Sequence, residues 1–158
     1  MTIPMPIAAG ADARAYPLIA GLFSRHGYDD VRAESFDAFT RRPGHTLLFF
    51  TEDPARYKET LDLAVIVPEL ARAFPGRFAV GVLLPETARA LQPRYGFRRW
   101  PALVVVRDGE YVGAVDGLRN WDEYLTEVAA LLEAGPARPP TVGIAVKAAD
   151  DAASACGG

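Results

Sequence analysis

Three short apolar segments constrain the fold of this chain more than any other feature. They are HTLLFF at 45–50, RFAVGVLL at 77–84 and ALVVV at 102–106. The first two do not alternate between apolar and polar residues, which predicts strands buried on both faces of a sheet. The stretch between them has the length and spacing of a helix. We therefore expect a parallel pair of strands joined by a right-handed crossover.

The third segment begins a β-hairpin. Asp108-Gly109 is a dipeptide preferred in two-residue hairpin turns, and YVGAVDG after it is the expected antiparallel strand. Apolar residues at helical spacing predict helices within 12–28, 34–44, about 58–74, 86–96, and from Asn120 onwards. The predicted fold class is α/β, with a mixed central sheet flanked by helices and a helical extension at the N-terminus.

The longest predicted helix contains a proline. Pro68 should kink it, because proline lacks the backbone N–H and collides with the preceding turn. We expect its inner face to carry Leu61, Val65, Ile66 and Leu70.

The last predicted helix ends the domain. Asn120 followed by Glu123 is typical of a capping box, and the expected inner stripe is Leu125, Val128, Leu131 and Leu132. After Gly135 the chain is rich in proline, alanine and glycine. We expect one domain over 1–135 and a flexible tail over 136–158.

Composition argues against several classes of function. The net charge is −3 and no basic block stands out, so nucleic-acid binding is not indicated. No apolar run reaches the roughly 18 residues of a membrane helix, and MTIPMPIAAG lacks the features of a signal peptide, so we expect a cytoplasmic protein. Cys156 is the one cysteine and there are two histidines, so we expect no internal disulfide, metal site or cofactor.

The segment RRWPALVVVRDGEYVG, in this order of elements, resembles part of the thioredoxin fold. The resemblance runs from about Thr46 to Leu132 and implies a cis bond between Trp100 and Pro101. Counting back from the helix proline places the redox quartet of that fold at TLDL, 60–63. Neither cysteine position holds a cysteine, which removes thiol–disulfide exchange from the leading interpretation.

A longer pattern resembles a narrower family. The "FRRWPAL" loop, the "TEDPARY" loop after the first strand and the missing cysteine pair are similar to the hydrogenase accessory proteins HyaE, HupG and HoxO, from about Tyr16 to Leu132. The resemblance implies a non-enzymatic role in maturing an uptake nickel–iron hydrogenase. It implies binding to the small-subunit precursor, which carries a twin-arginine signal. Another hydrogenase accessory protein is a further candidate partner.

The residues predicted to bind a partner are Glu59, Asp62, Trp100 and Pro101. The two acids belong to a cluster with Glu52 and Asp53; they could bind arginines or simply stabilise a helix N-terminus. The backbone beside the proline could pair with an extended peptide. Trp100 is taken as a binding anchor, whereas Trp121 is taken as a core or semi-core residue.

Two alternative functions stay open at this point. The first is a thioredoxin-like reductase that uses Cys156. The second is a scaffold that binds a folded partner without recognising a signal peptide.

Overall fold

The computed structural model describes residues 12–140 and contains one five-stranded sheet. Its strands are β1 (Asp29–Asp30), β2 (His45–Phe50), β3 (Phe78–Leu83), β4 (Ala102–Arg107) and β5 (Glu110–Asp116). They lie in the order β1-β3-β2-β4-β5. The first three are parallel, β4 is antiparallel to β2, and β5 is antiparallel to β4. This is the thioredoxin-like mixed sheet expected from the sequence.

In the described residues, a short 3₁₀ turn and five α-helices surround the sheet. The turn is Ala13–Ala15, and the helices are α1 (Pro17–Ser24), α2 (Ala33–Thr40), α3 (Glu59–Ala73), α4 (Pro85–Tyr95) and α5 (Trp121–Glu133). The bounds agree closely with the predicted segments. The capping box at α5 is confirmed: Asn120 Oδ1 accepts the Glu123 N–H at 2.9 Å, and Glu123 Oε1 accepts the Asn120 N–H at 3.0 Å.

The sheet separates two cores. Leu47 and Phe49 of β2 enter the core that also holds buried residues of α1, α3 and α5. Leu48 and Phe50 enter the core shared with α2 and α4. All four side chains are fully buried. The absence of polar alternation in β2 therefore reflects burial on both faces, as predicted.

The hairpin turn has the backbone expected of its two residues. Asp108 has φ 50° and Gly109 has φ 88°, so both lie in the left-handed region that a type I′ turn requires. Gly113 in β5 allows α5 to approach closely, because a β-carbon there would collide with Leu131 Cδ2.

Strand β1 is absent from the predicted elements. It consists of two aspartates, which have no apolar pattern and a low preference for strands. Its pairing with Gly81 and Val82 of β3 defines it, and the N–H of Val31 continues the contact by donating to the Val82 carbonyl at 2.9 Å. This non-local pairing leaves no sequence signal.

The inner face of α3 differs from the prediction. Val65, expected inside, is 50% exposed, and Leu61 and Ile66 are only partly buried, although Leu70 is buried. The buried residues are Thr60, Leu63, Ala64, Val67, Pro68 and Leu70. The predicted face was rotated relative to the observed one, because it left out the apolar residues Leu63, Ala64 and Val67 as well as Thr60 and Pro68.

The first residues of the predicted tail contact the domain. The N–H of Ala137 donates to the carbonyl of Tyr111 in β5 at 2.8 Å. The rest of that tail, 141–158 with Cys156, lies outside the described residues, as do residues 1–11.

Candidate functional site

The candidate site lies where β2 ends and α3 begins. Thr51 anchors the connecting loop: its hydroxyl and its N–H both donate to the Leu83 carbonyl, at 2.8 and 3.1 Å. Because β2 and β3 are parallel, this contact fixes the loop at the carboxyl edge of the sheet. Ligands of open α/β sheets commonly bind at this edge.

Glu52 and Asp53 hold the loop together. Glu52 is 7% exposed, and its carboxylate accepts hydrogen bonds from the N–H of Asp53 at 2.7 Å and from Arg89 Nε at 2.9 Å. Asp53 is also buried, and its Oδ1 accepts from the N–H of Ala55 at 3.0 Å. The hydrogen bond from Arg89 to Glu52 raises the pKa of the guanidinium above its usual value. Both carboxylates are thus committed to the local structure.

Glu59 and Asp62 are in a different environment. Both are exposed in the first turn of α3, and within residues 12–140 neither carboxylate has a hydrogen bond or ion pair. Between them Thr60 is fully buried, and its Oγ1 accepts from the N–H of Glu52 at 3.4 Å. The helix dipole favours negative charge at this position. The two predicted carboxylates are therefore available to an incoming cation.

The loop before β4 is fixed by β5. The Trp100–Pro101 bond is cis, as the resemblance implied. Asp116 Oδ2 accepts from the N–H groups of Arg98 and Arg99 at 2.9 and 3.0 Å. The N–H of Gly117 donates to the Pro101 carbonyl at 2.8 Å. In the described part of the chain, the backbone N–H and C=O of Trp100 take part in no hydrogen bond.

The structure brings the predicted site residues to one edge of the sheet without joining them directly. Phe50 pairs with Ala102, so the loop after β2 lies beside the loop that carries Trp100 and Pro101. Trp100, however, packs edge-on against Phe97 at 5.0 Å and contacts the core beneath α2 and α4. The buried residues of α3 belong to the opposite core. Within 12–140 no hydrogen bond, ion pair or ring contact links Glu59 or Asp62 to Trp100.

The two tryptophans differ in exposure. Trp121, expected in a core or semi-core position, is 39% exposed at the start of α5. Trp100, expected to be the anchor, is partly buried, and Pro101 after it is buried. The expectation for Trp121 was wrong because a helix N-terminus can place its first residue on the solvent side while Tyr124, one turn later, occupies the core.

A polar cleft of about 680 Å³ lies beyond the carboxyl ends of β1 and β3. Its arginines are already paired: Arg14 and Arg32 both bind Asp30 Oδ2, at 2.7 and 2.9 Å, and Arg89 binds Glu52. Neither this cleft nor the role of Asp116 is apparent from the sequence, because each depends on residues far apart in the chain. The local sequence signal that could have indicated these contacts is an acidic residue that ends or follows a strand, as Asp30, Glu52 and Asp116 do.

The positions that the resemblance assigns to the redox cysteines are occupied by buried residues. Thr60 and Leu63 are fully buried, and no cysteine occurs within 12–140. The same residues contain no group of three His, Cys, Asp or Glu side chains that could hold a metal ion. Within them, too, no helix has both the length and the apolar character needed to cross a membrane.

Comparison with known proteins identifies the family. The profile described as "Hydrogenase-1 expression protein HyaE" matches residues 18–124. The chain is also 40% identical, over 132 residues, to the hydrogenase expression/formation protein HoxO of Cupriavidus necator, and the alignment covers 82% of each protein. This chain belongs to the HyaE/HupG/HoxO family.

A second curated relative gives the same result, and one solved structure is also similar in sequence. The hydrogenase expression/formation protein HupG of Rhodobacter capsulatus is 34% identical over 131 residues, covering 82% of this chain and 95% of HupG. A crystal structure attributed to HupG of Rhodopseudomonas palustris is 34% identical, covers 66% of this chain and 94% of its own, and has a TM-score of 0.48. Membership implies an accessory role in hydrogenase expression and formation.

Proposed function

We propose that this protein is a non-catalytic chaperone in the maturation of an uptake nickel–iron hydrogenase. It binds the small-subunit precursor in the cytoplasm, before export, through the twin-arginine signal, the folded subunit, or both. Family membership supports the accessory role, since the relatives are named for hydrogenase expression and formation. The choice of the small-subunit precursor rests on the resemblance to this family.

Glu59 and Asp62 are the residues proposed to bind the signal. They are exposed and unpaired within 12–140, at the same edge of the sheet as the Trp100–Pro101 loop. Charge-assisted hydrogen bonds between arginine and carboxylate are among the stronger polar contacts available to a protein surface. The two acids are therefore suited to the arginines of a signal peptide.

The backbone of Trp100 provides the second contact. Its N–H and C=O have no partner within residues 12–140, so an extended peptide can pair with them as an added strand. Pro101 cannot donate a backbone hydrogen bond and is buried, so it shapes this loop rather than contacting the peptide through an N–H. Recognition then needs no covalent step and no cofactor.

The proposal is tested by calorimetry of the purified protein against the precursor, with and without its signal. The double variant Glu59→Lys/Asp62→Lys should bind the intact precursor more weakly, because repulsion replaces attraction. A matched control is Glu34→Lys/Glu110→Lys, which makes the same change of charge at two exposed acids without ion pairs in residues 12–140. Circular dichroism should be unchanged in both variants.

Two outcomes would contradict the proposed signal site. One is equal loss of affinity in the test and control variants, which would indicate a general charge effect. The other is unchanged affinity after removal of the signal, which would favour the scaffold that binds only a folded partner. A pull-down from native cells would show whether another hydrogenase accessory protein is also bound.

A further inference from the structure

We propose that Leu118, Trp121 and the first two turns of α5 form a second docking surface, for a partner segment that carries basic and apolar side chains together. We call these residues, 118–127, the α5 surface. The identity of the partner protein rests on the proposed function, whereas the chemistry of the segment follows from the surface itself.

The α5 surface exposes two large apolar side chains. Leu118 is 42% exposed and Trp121 is 39% exposed, and the two are three residues apart on either side of the α5 N-cap. Among residues 12–140 only Leu18 and Val65 are large apolar residues of comparable exposure, and they lie on separate helices. Neighbouring exposed apolar residues that include a tryptophan are typical of binding surfaces.

The α5 surface adjoins the loop that carries Trp100 and Pro101. Gly117 donates its N–H to the Pro101 carbonyl at 2.8 Å, and Leu118 is the next residue. Asp116, just before it, binds the N–H groups of Arg98 and Arg99. An extended segment paired with the Trp100 backbone can therefore continue onto Leu118 without crossing a gap in the fold.

The α5 surface also carries acidic side chains. A shallow hollow of about 280 Å³ on α5 is lined by Asn120, Asp122, Glu123, Thr126 and Glu127. It contains three carboxylates and no basic residue. The neighbouring Arg119 already binds Glu127 at 2.7 Å, and Asp122 has no ion pair within the described residues. A basic side chain next to an apolar one complements this surface, whereas an acidic side chain would be repelled.

Two hydrogen bonds hold the backbone on either side of Leu118 in place. The Tyr124 hydroxyl donates to the Gly117 carbonyl and accepts from the Arg119 N–H, both at 3.2 Å. Tyr124 itself is fully buried. The segment between the strand and α5 is thus fixed at both ends, which reduces the conformational entropy that binding would cost.

The test uses two synthetic peptides of equal length as probes. One alternates leucine with arginine, and the other alternates leucine with glutamate. Nuclear magnetic resonance titration of the full chain should show shifts at 118–127 with the arginine peptide and none with the glutamate peptide. Affinity should fall as salt is added, because exposed charges are screened.

Variants then assign the binding. Leu118→Ser/Trp121→Ser should bind the arginine peptide at least about tenfold more weakly, the loss expected for an interface anchor. Leu18→Ser is the matched control, since it removes an equally exposed apolar side chain from α1, and it should bind as the wild type does. Equal affinity for both peptides, or no loss in the double variant, would overturn the inference.

Two further results separate this inference from its alternatives. If the arginine peptide binds at the α5 surface but the precursor does not bind at all, the inference stands and the proposed function fails. If the precursor binds and Leu118→Ser/Trp121→Ser leaves that binding unchanged, the inference fails alone. A concentration-dependent dimer that the double variant abolishes would show that a second copy of this chain occupies the surface, and would also overturn it.

Discussion

Two pairs of acidic residues at one edge of the sheet have opposite environments. Glu52 and Asp53 are buried and hold the loop after β2, whereas Glu59 and Asp62, one short loop later, are exposed and unpaired within residues 12–140. The buried pair organises the edge, and the exposed pair is available for binding. Each pair consists of one glutamate and one aspartate, so residue type does not distinguish the pairs and the fold does.

Among the changes that test this comparison, removing the Arg89 side chain should have the largest effect, a loss of stability. In Arg89→Ala the buried Glu52 carboxylate loses its cationic partner. We expect the free energy of unfolding to fall by about 2–3 kcal/mol, less than the 3–5 kcal/mol typical of fully buried pairs, because Arg89 itself is half exposed. Urea denaturation measures the change.

The control for Arg89→Ala is the double variant Glu59→Ala/Asp62→Ala. It should lose no more than about 1 kcal/mol, since only the favourable interaction with the α3 dipole is removed. Equal losses in the two experiments would show that the exposed acids are structural after all.

Charge reversal at the exposed pair should affect binding more than stability. For Glu59→Lys/Asp62→Lys we expect about tenfold weaker capture of the precursor at low salt, equivalent to about 1.4 kcal/mol. The difference from wild type should shrink as ionic strength rises, because exposed charges are screened. A loss of affinity that is independent of salt would contradict an electrostatic contact.

His45, at the opposite end of β2, lacks the kind of polar partner that Glu52 has. Burial, followed by the charges of Arg107 and Arg77, lowers the pKa of His45, with smaller opposing effects from Asp108 and Glu133. His45 Nε2 is buried and has no hydrogen-bond partner within residues 12–140. The neutral imidazole is therefore favoured in the folded state.

Stability should consequently depend on pH through His45. Since its folded-state pKa lies below the unfolded value of about 6.5, the unfolded chain binds the proton more readily, and the free energy of unfolding should decrease as pH falls below about 6.5. His45→Gln should flatten this part of the profile, measured by urea denaturation at a series of pH values. An unchanged profile would show that other groups are responsible.

The smallest expected effect is on disulfide reduction. Thr60, which lies between the exposed acids and bonds to the loop of the buried ones, stands where the resemblance to the thioredoxin fold places a redox cysteine, so the chain should not accelerate reduction of insulin. Turnover above the uncatalysed rate that Cys156→Ser abolishes would support the reductase alternative.

The sequence predicted the parts of the fold that have local signals. Apolar segments gave β2, β3 and β4, Asp108-Gly109 gave the hairpin, and Asn120 with Glu123 gave the start of α5. Helix spacing identified all five α-helices, but not which face of α3 is buried. That face includes Thr60 and Pro68, whose burial depends on the packing of the sheet and not on their own hydrophobicity.

The candidate site was less predictable, because its contacts are non-local. Glu52 is buried because Arg89, 37 residues later, reaches it from α4. The exposure of Trp121 follows from the rotation of α5, which its tightly packed Tyr124 sets. The acids at the start of α3 were identified, but their relation to Trp100 is a matter of tertiary structure that spacing along the chain does not determine.

The hydrogen bonds of Asp116 also bear on the order in which the molecule assembles. They join residues only 17 and 18 positions apart, within the segment that contains the β4–β5 hairpin. The Glu52–Arg89 contact instead requires the intervening α3 and β3 to be in place. Contacts over short sequence separations cost less loop entropy and can form early. The segment that contains the β4–β5 hairpin therefore shapes the loop that carries Trp100. This loop can form before β2 and β3 have paired.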